Sequence, residues 1–460
     1  MYDYDILIIG AGPGGYEAAI RAGKLGKKVA VIDEREAGGT CLNRGCIPTK
    51  TLLHAAELYR EALTGAPIGV CAAEARVDLG AMFERREEVS AKLRGGVEAL
   101  FKAAKVGFLH GRGCVVAPHS VKIVSAEGEQ TCSADAILIA TGAVPATPPI
   151  PGLELPGVWS SEDVLRGLEC LPASLTIIGG GVIGAEFATF FADLGVSVTL
   201  LEGMDRLLPT MDREFGQNLA MIFKKRGVAV QTGALVSSIG KTDAGFAVCY
   251  AQKGREARCE SEAVLSAIGR RPYWDGVFAP GLEPAADHGR LLVDGKFETT
   301  LPGVYAVGDV SSPIQLASVA KAQGVACVER LCGLEPAQDL SLIPLSAFCR
   351  PEVASVGLTE AEAKERQIPV KIGKGLTSAN GRSIILEADR GFMKLLAHAE
   401  TGRLLGAQLM CTHANEMITL LTAAIANGLT AAQLRRAVHP HPSFEETLSD
   451  ALDELLKKLG

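Results

Sequence analysis

YDILIIGAGPGGYEAAIRAGKLGKKVAVIDE, residues 4–34, is the stretch that decides the fold. It reads as an apolar strand from Ile6 to Ile9, a glycine turn, a helix from about Gly14 to Leu25, and a second strand that ends at Asp33. Gly10, Gly12 and Gly15 stand at Gly-x-Gly-x-x-Gly spacing, with Gly14 inside the turn. Glycine is needed where backbone turns sharply and approaches a pyrophosphate, whose charge then rests on the N-terminus of the following helix. Asp33 is placed to accept ribose hydroxyls.

The pattern recurs in SLTIIGGGVIGAEFATFFADLGVSVTLLE, residues 174–202, with Gly179, Gly181 and Gly184 after the strand Leu175 to Ile178, and with Glu202 as the acidic end. Asp33 and Glu202 lie equally far, 23 residues, from Gly10 and Gly179. One such glycine turn is weak evidence, because glycine turns between strand and helix are common. Two with matched acidic ends predict two dinucleotide sites. Each unit is followed by a strand that closes on a similar tripeptide, Ala140-Thr141-Gly142 or Ala267-Ile268-Gly269. In the second unit Glu202 is followed by Asp205, and two carboxylates repel a 2′-phosphate, so NAD is favoured over NADP. Arg206, next in line, is the residue that argues the other way.

Between the units lies GGTCLNRGCIPTKTLLHAAELY, residues 38–59. Cys41 and Cys46 are separated by four residues, which is not a common zinc spacing and lets two sulfurs close a small ring. A bond in so small a ring is easier to reduce than a structural staple. Pro48 suits the first turn of a helix and Thr51 to Leu63 is a helix-forming run, so Cys46 is expected near a positive helix end that favours its thiolate. The alternative is a pair of unpaired thiols in a glycine loop. The other ten cysteines, Cys71, Cys114, Cys132, Cys170, Cys249, Cys259, Cys327, Cys332, Cys349 and Cys411, read as small hydrophobic filler.

GGTCLNRGCIPTK resembles the active-site signature of the pyridine nucleotide-disulfide oxidoreductases. With Gly14 to Ala22 (GGYEAAIRA) and the Leu42-Asn43 pair, it is similar to the dihydrolipoyl dehydrogenase branch rather than to glutathione reductase. The resemblance covers essentially the whole chain. It implies an FAD site on the first unit and an NAD site on the second. Cys41 would exchange with a dithiol substrate, Cys46 would face the flavin as the charge-transfer thiolate, and Lys50 would pair with Glu186 beside flavin and nicotinamide. In LPGVYAVGDVSSPIQLASVAKAQG, residues 301–324, it implies that Asp309 bonds the flavin ribitol. Thr141, Gly142, Gly269 and Ala317 complete the expected cofactor contacts. Without the resemblance, Lys50 would be a solvated charge and Gly308-Asp309 a simple turn.

AVHPHPSFEETLSDALDELLKKL, residues 437–459, holds the only histidine cluster. The resemblance makes His441 the proton carrier for the thiols and Glu446 the carboxylate that orients its ring, both working on the disulfide of a second copy in a C2 homodimer. A carboxylate on one imidazole nitrogen fixes the tautomer and raises basicity. The competing reading is a Ser443-x-x-Glu446 capping box on a last helix whose apolar stripe is Phe444, Leu448, Leu452, Leu455 and Leu459.

The fold expected is α/β: two Rossmann-like dinucleotide-binding domains for FAD and NAD, and a C-terminal α+β dimerisation domain. The divisions expected are 1–149 and 273–341 for the FAD domain, 150–272 for the NAD domain and 342–460 for the interface domain. A length of 460 residues suits about three domains, and 48% hydrophobic with 22% charged residues suits a globular protein. A formal charge of -7 excludes a basic footprint for nucleic acid or anionic membrane, and no apolar run reaches the roughly 18 residues of a span. The strand so close to Met1 leaves no room for a leader, which predicts the cytoplasm.

The activity expected is oxidation of a protein-bound dihydrolipoyl group by NAD, the partner being a lipoyl-bearing protein of a 2-oxoacid dehydrogenase complex or of the glycine cleavage system. Sister disulfide reductases are the nearest alternatives. Mercuric and large thioredoxin reductases carry an extra cysteine pair or selenocysteine near the C-terminus, whereas the last cysteine here is Cys411. A flavoprotein with a structural or redox-sensing role is a more distant one. No metal site is expected. Cys349 and Arg350 before Pro351, and the charge of Glu17 on the first nucleotide helix, have no account in the sequence.

Overall fold

The structure, a computed structural model, describes residues 2–388 and 390–460. Two parallel sheets form the frame. In the first, the strands run Gly107–His110, Val29–Asp33, Tyr4–Ile9, Gly128–Ile139, and Val304–Ala306 joins the far side of Gly128–Ile139. The second repeats the order with Ala229–Thr232, Ser197–Glu202, Ser174–Ile178, Ala263–Ser266 and Val158–Ser160. Each has a three-stranded antiparallel meander: Arg112–Ala117, Ser120–Ser125 and the early part of Gly128–Ile139 in one, residues 234–261 in the other. The chain enters and leaves the second unit side by side, because Ala143–Pro145 pairs antiparallel with Arg270–Pro272.

These central strands are apolar on both faces, as strands covered by helices on each side must be. Leu7, Ile8, Val31, Ile137 and Leu138 are fully buried. The third sheet is antiparallel, ordered Leu345–Ala347, Val353–Gly357, Leu404–Met410, Phe392–His398, Val370–Leu376, with the helices Ala414–Ala426 and Glu446–Leu459 packed on it. The expected class, two Rossmann-like units plus an α+β domain, is the one observed.

Two glycines in each nucleotide turn are fixed by close approach. Gly10 and Gly179 hold φ of +109° and +107°, and a Cβ at either would strike the carbonyl of Ala140 or Ala267. A Cβ at Gly15 or Gly184 would strike the carbonyl oxygen of Gly10 or Gly179, so the helices Pro13–Lys24 and Val182–Asp193 lie directly on their strands. Gly12 and Gly181 differ: a Cβ at Gly181 meets nothing within 4 Å, and one at Gly12 only the Gly39 Cα at 4.0 Å.

Several local expectations are corrected. The helix expected to hold Pro48 in its first turn and Cys46 near its start does so, running from Cys46 to Thr64, but Cys41 lies in a short helix of its own, Gly39–Arg44. Pro48 is tolerated because the first turn has no intrahelical acceptors for its amides; the first such bond is from Thr49 N to Gly45 O, at 3.0 Å. The first nucleotide helix starts one residue early, at Pro13. The cysteines are not uniformly filler: Cys327, Cys349 and Cys411 are buried, but Cys71 and Cys170 are exposed and the other five are half-buried. Burial pushes the Cys327 thiol up to about 12, and pushes those of Cys349 and Cys411 higher still, so these three are inert near neutral pH.

The features without a sequence account receive one. Arg350 reaches Glu57 of the cysteine helix and lies 3.9 Å from buried Asp193 at the end of the second nucleotide helix. Cys349 donates to the Pro351 carbonyl at 3.2 Å, and Glu17 pairs with Lys321 at 2.7 Å across the contact of two helices.

Gly184→Ala is expected to cost about 1–3 kcal/mol, the usual penalty of overpacking, and to lower the melting temperature in scanning calorimetry. Gly181→Ala, with open space at its Cβ, should melt with the native protein; equal losses would contradict the division of labour within the turn.

Candidate active site

Both glycine turns open on one cavity of about 1450 Å³. Gly12 and Gly181 line it and are the N-caps of their helices, and neither helix has a side-chain cap. The free amides of the first turns therefore face the cavity with the positive ends of two helix dipoles. Asp33 accepts from Ala11 N at 2.7 Å and Arg35 N at 2.9 Å. Glu202 does the same with Gly180 N at 2.6 Å and Met204 N at 2.7 Å. Each carboxylate holds its turn closed and keeps lone pairs for a hydroxyl. Burial pushes the Asp33 carboxyl above its ordinary value in spite of those two amides.

The cysteines sit where the turns converge. Gly38 N donates to Ala11 O at 2.9 Å, and a Cβ at Gly39 would strike the Gly12 Cα, so the short helix carrying Cys41 is pressed against the first nucleotide turn. Buried Asn43 fastens it, donating to Ala37 O and Gly39 O at 3.0 Å and accepting from Arg94 at 2.9 Å. Cys41 and Cys46 are disulfide-bonded, with Cα atoms 4.7 Å apart, and both line the cavity. The reading as unpaired thiols is overturned. Cys46 is the first residue of a helix that has no side-chain cap.

One turn along that helix, Lys50 donates to both oxygens of Glu186 at 2.7 Å. Glu186 is 3% exposed and also accepts from Phe348 N at 3.0 Å, while the Phe348 ring lies 4.7 Å from the Lys50 ammonium. Thr141, Gly142, Gly269, Asp309 and Ala317 line the same cavity. Thr141 donates to the Tyr273 carbonyl. Burial pushes the Asp309 carboxyl up, and the nearby Arg270 opposes this.

Sequence reasoning missed Phe348 and Arg270. Arg270 donates to Ala143 O at 2.5 Å and pairs with Glu162 at 3.3 Å, which ties the crossing strands beside the cavity. A side chain that works through its backbone amide, as Phe348 does, leaves no sequence signal. Arg206, the residue that argued for a phosphate, is held by Asp205 at 2.9 Å and the Pro209 carbonyl at 2.9 Å and does not line the cavity.

His441 and Glu446 lie elsewhere. His441 Nδ1 is 2.8 Å from Glu446 Oε1, its side chain is 81% exposed, and it does not line the cavity of its own chain. The capping box is half formed: Glu446 Oε2 accepts from Ser443 N at 2.9 Å, but the Ser443 hydroxyl has no partner and the helix begins at Glu446 itself. Glu446 thus serves the ring and the chain end together. Phe444, Leu448, Leu452 and Leu455 are buried as expected.

The match to known proteins follows this geometry. The pyridine nucleotide-disulphide oxidoreductase model covers residues 4–324, and its dimerisation domain residues 343–452. The chain belongs to this family. It is 37% identical over 458 residues to a dihydrolipoyl dehydrogenase of Bacillus subtilis (strain 168), covering 98% of this chain and 96% of that protein. It is 39% identical over 465 residues to the dihydrolipoyl dehydrogenase of Thermus scotoductus, covering 100% and 98%. Among solved structures, LpdA from Mycobacterium tuberculosis superposes with a TM-score of 0.88 at 27% identity, covering 98% of this chain and 99% of that one. The HOCl-induced flavoprotein disulfide reductase RclA from Escherichia coli, as its Cu(II) complex, gives 0.86 at 30% identity, covering 98% and 99%.

Proteins of this family use FAD and NAD(H). The residues here fit both: two uncapped helix ends, a bare Cα at Gly12 and at Gly181, and an acid at each strand end. Among the described residues no cluster of ligands suits a metal.

The hydrogen bond from His441 holds the Glu446 carboxyl below its free value of 4.5, with the Ser443 amide adding to the effect. A depressed carboxyl pKa gives stability that is present above the unfolded value and lost as pH falls through the folded one. The difference in melting temperature between the native chain and Glu446→Gln should therefore be present at neutral pH and shrink once the pH falls below 4.5. A difference that grows in acid would contradict the contact.

Proposed function

We propose that the protein is a dihydrolipoyl dehydrogenase, oxidising a protein-bound dihydrolipoyl group with NAD+. The observation that carries this reading is the Cys41–Cys46 disulfide in one cavity between two nucleotide turns, the second of which presents Glu202 while Arg206 is tied away. The full-length likeness to the two dihydrolipoyl dehydrogenases supports the substrate class. Asp33, Gly12, Asp309, Thr141, Gly142 and Ala317 would hold FAD, and Gly181, Glu202 and Gly269 would hold NAD(H). The division at 149, 272 and 341 into FAD, NAD and interface domains goes with this assignment.

One substrate thiol gives its proton to His441, whose other ring nitrogen Glu446 holds. The resulting thiolate attacks Cys41 Sγ; the Cys41–Cys46 bond breaks and Cys46 leaves as a thiolate at its helix N-terminus. The second substrate thiol attacks the substrate sulfur of the mixed disulfide, so that the lipoyl disulfide closes, Cys41 departs, and the second proton passes to the Cys41 sulfur while His441 keeps the first. Two electrons now rest on the cysteine pair. FAD, when bound, supplies the two-electron acceptor that restores the disulfide and passes a hydride to NAD+. Lys50 and Glu186 fix the cysteine helix against the second nucleotide helix during these exchanges.

Because His441 is on the surface of its own chain, the site is completed by a second copy, in keeping with the dimerisation domain. The macromolecular partner is a lipoyl-bearing protein. Among the described residues no helix is long and apolar enough to cross a membrane. The cytoplasm is proposed separately, on the likeness to the bacterial dihydrolipoyl dehydrogenases.

With dihydrolipoamide and NAD+, the FAD-loaded protein should form NADH, and Cys41→Ser should abolish this. Absence of turnover, or a preference for NADPH with another disulfide, would assign it to a sister reductase. His441→Gln should slow dithiol oxidation by about 10²–10⁴-fold, the span of general acid–base catalysis. NADH oxidation by ferricyanide, which needs no thiol proton, should persist; equal slowing of both reactions would remove the proton role.

A further inference from the structure

Lys394 is 4% exposed, on the strand Phe392–His398 of the interface sheet, yet its ammonium points out of that sheet onto the second nucleotide unit. It donates to Asp212 Oδ2 at 2.8 Å and lies 3.4 Å from Glu214 Oε2. Asp212 is itself 6% exposed, and its other oxygen accepts from Glu214 N at 2.9 Å, capping the helix Arg213–Lys225. Around the pair Phe215 stacks on Phe392 at 5.6 Å, with Leu207 and Met211 in the same core cluster, and a second lysine of the interface sheet, Lys374, reaches Glu214.

Such a seam would hold at least as well with hydrophobic residues, because burying two charges costs about what their attraction returns. What the ion pair adds is a fixed position for Asp212, which directly follows the segment 203–211. That segment lines the nucleotide cavity through Gly203, Met204, Pro209, Thr210 and Met211. Within its own unit it is anchored by Met204 N on Glu202, by Leu208 N on Gly180 O at 2.9 Å and by Met211 N on Leu208 O at 2.9 Å. Asp212, the next residue, is anchored across the seam.

We infer that Lys394 is a positioning residue for the pyridine nucleotide: through Asp212 it holds the wall formed by residues 203–211 in the shape that receives NAD(H). The assignment rests on the second turn as the NAD(H) site and does not depend on the dithiol substrate. Lys394 touches no reacting group.

The test is calorimetric titration of NAD+ into the oxidised, FAD-loaded protein, with Lys394→Met and the charge-free pair Lys394→Met/Asp212→Asn. Asparagine retains an oxygen to cap the helix, so the double variant relieves the stranded carboxylate and should melt close to the native protein. NAD+ affinity is expected to fall about tenfold in both, a usual size for coupling between sites. Amide exchange over residues 203–211 should quicken in both, with FAD content unchanged. Affinity that recovers along with melting temperature in the double variant, or that stays within about twofold of native in both, overturns the proposal. If Lys394→Met does not fold, the double variant decides alone. No NAD+ binding by the native chain would sink the nucleotide assignment as well, whereas native binding that the variants leave intact removes this inference only.

Discussion

The buried Glu186 carboxylate is the constraint on which the arrangement turns. It sits in the helix Val182–Asp193, where Ala185, Phe187, Ala188, Phe190 and Phe191 are buried, and a carboxylate there is tolerable only with partners for both oxygens. Lys50 comes from the cysteine helix and Phe348 N from just after the first strand of the interface sheet. Three separately folded parts of the chain thus meet at one side chain. Removing the lysine would strand the acid; moving either helix would break a bidentate contact. The cysteine pair is thereby held in register with the second nucleotide turn, although the short helix that carries Cys41 is pressed against the first.

The internal duplication extends this logic. Each unit solves the same steric problem with the same glycines, and each closes its turn with an acid that accepts two backbone amides. This is why the fold was legible in the sequence. Requirements such as positive φ at Gly10 or the absence of Cβ at Gly15 are local, and their spacing survives as a written pattern. The disulfide was legible for a similar reason, since five positions of separation set what two sulfurs can reach.

What the sequence hid depends on distant backbone. The short helix Gly39–Arg44 that carries Cys41 is set by its packing against the first turn at Gly12, and propensity gives no sign of it. Phe348 acts through its amide, so its side-chain identity says nothing of that role. Ser443 and Glu446 have capping-box spacing, yet Glu446 turns one oxygen to His441 and the serine hydroxyl goes without a partner. Nothing in the sequence marks Lys394, because only the packing of one domain on another reveals that its partner is Asp212.

The separation of His441 from its own disulfide has a physical reading of its own. A proton carrier must reach the substrate thiol from the side opposite the electron acceptor, because the sulfurs pass electrons one way and protons the other. Within one chain the acceptor side is walled by both nucleotide turns and by the Lys50–Glu186 contact, and His441 does not line that cavity. A histidine held on the surface by Glu446, at the root of a helix tethered through Glu454 to the backbone of Lys374, is rigid toward its own chain and open toward another. On the reading proposed, dimerisation is then part of the chemistry: the half-site that takes electrons and the half-site that takes protons are kept on different molecules until the interface joins them.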